Sequence, residues 1–221
     1  MQGMTAARAS EADRPAFTPL SLTVTGLNLS RGETRLARDL DLSLEPGDAL
    51  LLTGGNGVGK TTLLRAIAGL IRPDSGQIRL GDHAASEAAA DTIAWLGHTD
   101  GLKSAETVRQ SLQVWADIHA QPRKRIMPAL RDLGIDHLID RRTDRLSRGQ
   151  QRRVGLARVL ISNQPIWLLD EPAGPLDQAG RDRLADIVAM HRERQGIVIA
   201  ATHQGLNWAA ARTLHLGDTV R

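Results

Sequence analysis

The segment Gly54-Gly55-Asn56-Gly57-Val58-Gly59-Lys60-Thr61 constrains this chain more than any other. Glycine, four residues, then Gly-Lys-Thr is the pattern of a phosphate-binding loop. The continuous apolar run Ala49 to Thr53 precedes it and reads as a strand buried on both faces. A helix from about Lys60 to Ala68, stopped by Gly69 and then Pro73, follows it. That context makes successive backbone N–H groups and a helix N-terminus converge on an anion. The glycines let the backbone wrap phosphate oxygens where a Cβ would obstruct it. Lys60 is then placed to contact β- and γ-phosphates, Thr61 to bind Mg²⁺ through its hydroxyl, and Thr62 to reach the α-phosphate. The competing reading is a Gly-rich surface turn, but the chain's own residue frequencies allow only about 0.003 chance matches.

The surrounding pattern predicts an α/β fold. Leu20, Leu22 and Val24 alternate with polar residues, as do Leu40, Leu42 and Leu44, which is the period of half-buried strands. Glu45-Pro46-Gly47-Asp48 makes a turn between them and the buried strand. Residues 98–160 change character: helical periodicity dominates, for example Val108, Leu112, Trp115 and Ile118, and charges are dense, so an inserted helical subdomain is expected. Strand and helix alternation then resumes, with Ile166 to Leu169 and Ile197 to Ala201 as buried strands around a helix near Gln178 to His191. Such alternation implies a mostly parallel sheet that binds ligands at its carboxyl edge. Residues 1–19, polar, Ala-rich and broken by Pro15 and Pro19, are expected to form a flexible arm before one domain spanning 20–221.

Ile166-Trp167-Leu168-Leu169-Asp170-Glu171 delivers two adjacent carboxylates at the end of a buried strand. Alternate strand residues point to opposite sides, so the two are expected to serve different tasks. Asp170 fits a Mg²⁺ ligand, and Glu171 fits a general base that polarises the water attacking a γ-phosphate.

Leu146-Ser147-Arg148-Gly149-Gln150, continued by Gln151-Arg152-Arg153, resembles the signature motif of ABC-type ATPases. The resemblance extends over nearly the whole domain: the phosphate loop, this signature, the strand ending Asp170-Glu171, Leu176-Asp177 as the D-loop, and His203 after the last buried strand. It implies a P-loop NTPase core with a mostly parallel sheet, an antiparallel β subdomain and the inserted helical subdomain. It also implies a head-to-tail homodimer in which ATP lies between one phosphate loop and the other copy's Ser147, Arg148, Gly149 and Gln150. A helix N-terminus there could offer Ser147's hydroxyl and backbone N–H groups to a γ-phosphate in trans. His203 is implied as the residue that hydrogen-bonds the γ-phosphate and holds Glu171 and water in place. Arg148 stands where the family commonly has glycine; it either projects outward or adds a cation near the nucleotide.

Trp95-Leu96-Gly97-His98-Thr99-Asp100-Gly101-Leu102-Lys103 falls where the family carries a glutamine loop that senses Mg²⁺ and touches the membrane subunit. With Leu-Gly-His before Gly-Leu-Lys, Gly149-Gln150-Gln151-Arg152-Arg153-Val154, Asp-Glu-Pro at the catalytic strand, and Thr202-His203-Gln204, the chain is similar to the ATP-binding haem exporter family of c-type cytochrome maturation (CcmA). That implies permease subunits docked near residues 98–110, at the cytoplasmic face of the inner membrane. His98 either occupies a water-mediated Mg²⁺ position or is a loop histidine without nucleotide contact. Arg31 stands where many relatives stack an aromatic on adenine; a guanidinium plane can stack on a base too. Gly174-Pro175-Leu176-Asp177 lacks the Ser or Thr frequent in the D-loop.

Composition closes off other classes. There is no Cys, which excludes thiol catalysis, disulfides and Cys-ligated metal. No apolar run approaches the roughly 18 residues of a membrane span, so membrane association is expected through a partner. Net charge is +3, but residues 121–160 alone hold eleven cations against four anions. That segment is expected to face phosphate, a permease or an anionic leaflet, or to be a solvated arginine-rich face. Rival readings are the ATPase of another small-molecule or lipid exporter, a non-catalytic scaffold, and a nucleic-acid-associated ABC protein. The last usually carries a coiled coil or second cassette, for which 221 residues leave no room, so no direct nucleic-acid contact is expected.

Overall fold

The computed structural model describes residues 16–203 and 205–218. Two sheets are stacked. The first is antiparallel, with β1 (Leu22–Arg31), β2 (Thr34–Leu44), β4 (Ser75–Leu80) and β5 (His83–Ala84) in the order β2-β1-β4-β5. The second holds β3 (Ala49–Thr53), β6 (Ile93–Leu96), β7 (Ile166–Asp170), β8 (Ile197–Ala201) and β9 (Arg212–His215) in the order β6-β7-β8-β3-β9, parallel throughout. The helices are α1 (Lys60–Ile67), α2 (Ala85–Thr92), α3 (Val108–Ile118), α4 (Ile126–Asp132), α5 (Arg148–Ser162) and α6 (Gln178–Glu193).

Strand alternation divides the parallel sheet's side chains between two cores. Leu50, Leu52, Leu168, Ile197 and Ile199 pack with α1 and the antiparallel sheet. Leu51, Trp167, Leu169, Val198 and Ala200 pack with the helices on the other side, mainly α3 to α6. Being covered on both faces explains why β8 is apolar from end to end and β7 is apolar up to its last residue, Asp170.

Three details differ from the expectations. Phe17 belongs to the packed structure: its N–H donates to Arg194 O at 2.9 Å and its ring lies under the Arg194 guanidinium, so packing starts before Leu20. Residues 1–15 of the expected arm lie outside the described residues. On α3 the buried face is Val108, Leu112 and Ala116, four residues apart, whereas Ile118 is 65% exposed and Trp115 sits beneath the Arg158 guanidinium. The charge surplus of residues 121–160 is partly neutralised by carboxylates from outside that segment: Arg123 pairs with Asp117, Arg152 with Asp100 and Arg153 with Asp177.

Candidate active site

Register places the carboxyl ends of three strands side by side. Leu52 of β3 and Asp170 of β7 both lie opposite Ala201 of β8. Two cross-links stitch the edge: Thr202 N donates to Leu52 O at 3.0 Å, and Glu171 N donates to Ala201 O at 2.8 Å. From this edge the phosphate loop, the carboxylate pair and His203 all emerge.

Gly54, Gly57 and Gly59 take φ of 133°, 79° and 110°, conformations that side chains disfavour. A Cβ on Gly59 would meet Leu36 Cβ at 2.9 Å. Gly59 caps α1 without any side-chain hydrogen bond, so the first-turn N–H groups of Lys60, Thr61 and Thr62 are left for an anion. Lys60 Nζ donates to Gly54 O at 2.8 Å and Gly55 O at 3.0 Å. Two of three ammonium N–H bonds thus fix the cation beneath the loop, and the third remains for a ligand. Val58 instead packs against the core.

A cavity of about 820 Å³ is lined by Asn56, Gly57, Gly59, Lys60, Thr61 and Thr62, together with Arg31, Arg72, His98, Asp170, Glu171 and His203. Thr61 Oγ1 donates to Asp170 Oδ2 at 2.9 Å. A hydroxyl beside a carboxylate is the hard-oxygen set that Mg²⁺ takes when substrate phosphates and water complete its shell. Among the described residues no group of three or more His, Cys, Asp or Glu could hold a metal ion.

The two carboxylates are not sent to opposite sides, as strand alternation had suggested. Glu171 adopts φ 52°, so the strand ends at Asp170 and the backbone turns left-handed, bringing both side chains to the same cavity. Glu171 Oε2 is buried and accepts no aligned hydrogen bond among the described residues, while His203 Nδ1 lies 2.9 Å from it. A buried carboxylate oxygen held beside an imidazole in this cavity has the geometry a general base requires.

The signature lies elsewhere. Ser147 and Gln150 form a reciprocal capping box on α5: Gln150 N donates to Ser147 Oγ at 3.2 Å and Ser147 N to Gln150 Oε1 at 2.9 Å. Gly149 packs on the D-loop, where a Cβ would stand 2.8 Å from Pro175 O. Ser147, Gly149 and Gln150 do not line the phosphate-loop cavity, and exposed Arg148 lines a neighbouring one with His98, Asp100 and Glu171. Asp177 caps α6 by accepting from Gly180 N at 2.9 Å and also pairs with Arg153. The Gly180 hydrogen bond, supported by Arg153, holds its carboxyl below the usual range. Gln204, beside His203, lies outside the described residues.

One important side chain was not anticipated. Arg152, 2% exposed, reaches from α5 to Asp100, Gly97 O, Asp170 O and Pro172 O. Its position four and seven residues before buried Leu156 and Val159 was the available signal, masked by the arginines around it.

Comparison with known proteins shows the family. Residues 37–174 match the family model described as ABC transporter. The "Cytochrome c biogenesis ATP-binding export protein CcmA" of Maricaulis maris is 56% identical over 93% of this chain and 96% of its own length. The protein of that name from Ruegeria pomeroyi is 44% identical over 83% and 85%. Among solved structures, cbiO1 from Clostridium perfringens, part of the ABC transporter complex cbiONQ, is 31% identical with a TM-score of 0.71, covering 83% of this chain and 78% of that one. The ATP-binding protein of a Pyrococcus furiosus ABC transporter shares the fold at a TM-score of 0.81 and 23% identity, covering 90% and 98%. A chain with this loop, signature and carboxylate strand, and with these relatives, belongs to the ABC transporter ATPases, in the CcmA family of cytochrome c biogenesis ATP-binding export proteins.

Proposed function

We propose that this ABC-type ATPase is the ATP-hydrolysing subunit of a complex that exports or handles haem for c-type cytochrome biogenesis. It works as a head-to-tail homodimer on membrane permease subunits at the cytoplasmic face of the inner membrane. The observation that carries the chemistry is the Thr61–Asp170 hydrogen bond standing in one cavity with Lys60, Glu171 and His203. The placement of the signature outside that cavity supports a second copy as the source of the other half of the site. The relatives' names support the process, and among the described residues no helix is long and apolar enough to cross a membrane, which supports a separate permease.

The loop N–H groups and the uncapped N-terminus of α1 bind the β- and γ-phosphates, and Lys60 neutralises their charge from its fixed seat. Thr61 and Asp170 would hold Mg²⁺, whose contribution when bound is to offset charge on the phosphate oxygens. Glu171 Oε2 accepts a proton from the attacking water as the bond between the γ-phosphorus and the bridging oxygen breaks. His203 fixes the carboxylate and contacts the γ-phosphate; Arg31 stacks on the base. Exposed residues at positions 98, 99 and 103 to 105 form the surface offered to the permease.

The test is to isolate tagged Glu171→Gln protein from its native membranes with ATP. An ATP-bound dimer accompanied by a haem-handling membrane protein is expected, and Lys60→Ala is expected to lose tight nucleotide binding. Normal turnover in both variants would remove the assigned chemistry, and capture of a different permease would replace the haem assignment.

A further inference from the structure

Arg152 is among the largest side chains fully removed from solvent. Burying a cation is costly unless its donors are matched. Here one carboxylate balances the charge, Asp100 Oδ1 at 2.8 Å from Nη1, and the rest of the fork goes to main-chain carbonyls. Nη1 also donates to Gly97 O at 2.8 Å, Nη2 donates to Asp170 O, and Nε donates to Pro172 O at 3.4 Å. The last two carbonyls stand immediately before and after Glu171. That residue holds φ 52°, a left-handed conformation that disfavours a side chain and survives only where its surroundings over-determine it. Arg152 on both flanks, with the bond from Glu171 N to Ala201 O, supplies that constraint.

The other end of the fork grips the loop that carries His98. Arg158, six residues further along α5, donates to Asp100 O. The loop lies directly on the helix: a Cβ on Gly155 would stand 3.0 Å from both Asp100 Oδ1 and Leu96 Cδ1. The helix whose first turn carries the signature thus also holds the His98 loop and the backbone of the carboxylate pair.

We propose that Arg152 is a positioning residue for hydrolysis, locking the His98 loop through Asp100 to the left-handed turn that aims Glu171. The proposal rests on Glu171 being the base. Movement of the loop by a docked partner is then transmitted to the base without loosening the nucleotide.

Steady-state ATPase rates and equilibrium binding of a fluorescent ATP analogue, on the full-length protein, test it. Arg152→Met is expected to lower kcat about a hundredfold, the effect of misplacing a reacting group by about 1 Å, with KM and analogue binding changed less than about twofold. Arg152→Lys, retaining the charge but not the fork, is expected to recover part of that loss. Asp100→Ala is expected to lower kcat by about tenfold, and the Arg152→Met/Asp100→Ala double variant to be no slower than Arg152→Met, since both break one lock. In a Glu171→Gln background Arg152→Lys should leave the residual rate unchanged. Should Arg152→Met fail to fold, Arg152→Lys and Asp100→Ala give the same reading. The proposal is overturned by full kcat in those two variants, by matching losses of nucleotide binding, or by an undiminished Arg152→Lys effect without Glu171. Equal rates in wild type and Glu171→Gln would instead remove the base assignment beneath it.

Discussion

His191 gives the fold a calculable sensitivity to acid. Its ring is wholly buried, stacked on Trp167 with centroids 3.8 Å apart and planes at 17°, and its Nε2 lies 3.1 Å from Pro165 O. Burial pushes its pKa from 6.5 down to about 3. The unfolded chain therefore takes up this proton first. The stabilisation from keeping His191 neutral is complete above about pH 6.5 and is lost as pH falls toward 3, at about 1.4 kcal/mol per pH unit. Between pH 7 and pH 5 the loss is about 2 kcal/mol, or about 4–8 °C in Tm for a chain of this size. Other groups titrate in the same interval, so the informative quantity is the gap between wild type and His191→Gln. The Gln amide can still donate to Pro165 O, which also accepts from Ile197 N at 2.9 Å and stays satisfied either way. Thermal melts should show wild type ahead of the variant at pH 7 and that lead shrinking by about 4–8 °C at pH 5. A gap constant to within about a degree across those pH values would mean that His191 titrates alike in folded and unfolded chains, contrary to its burial.

Other perturbations separate the roles of the site's parts. Gly149→Ala drives a Cβ toward the Pro175 carbonyl at 2.8 Å, a backbone atom that cannot swing aside, so a loss of about 1–3 kcal/mol in urea melts is expected together with weaker ATP-driven dimerisation. Asp177→Ala should lose about 1 kcal/mol as the α6 cap disappears, and Asp177→Asn should recover most of it in the same melts. Arg31→Ala should weaken ATP and GTP binding alike, by about fivefold for a stacking contact of about 1 kcal/mol; a titration showing loss for ATP alone would mean Arg31 reads the adenine edge instead.

What could be read from the sequence follows from how local each determinant is. The phosphate loop, β3, β7 and β8 are set by neighbouring residues, a buried apolar run closed by glycines or carboxylates, and their expected bounds match the structure within a residue. Strand alternation does not reveal the turn at Glu171, because the strand stops one residue earlier, at Asp170. Its φ of 52° depends on Arg152 and Ala201, which the sequence places far away. Local sequence places Phe17 in the arm because its partners, Arg194 and His191, come from the other end of the chain. On α3 the expected stripe treated Ile118 as core, but Ala116 packs there instead, since a small residue lets α3 approach α5.

The arginine-rich segment shows why a count of charges did not locate a surface. An exposed basic face and an internal clamp have the same composition, and the difference lies in where the carboxylates come from. Asp100, Asp117 and Asp177 all lie outside residues 121–160, and each is ion-paired with an arginine inside that segment. Only Arg152 among these pairs is removed from water, and its one carboxylate belongs to the loop next to the catalytic strand. Exposed pairs such as Arg123–Asp117 are screened and contribute about 0–1 kcal/mol. The buried pair is different, because removing either partner strands a charge and costs several kcal/mol. The loop and α5 are therefore held together by an interaction that is hard to break halfway. Lys124, Arg131, Arg141, Arg145 and Arg148 are exposed, so these five carry the surface field of the subdomain.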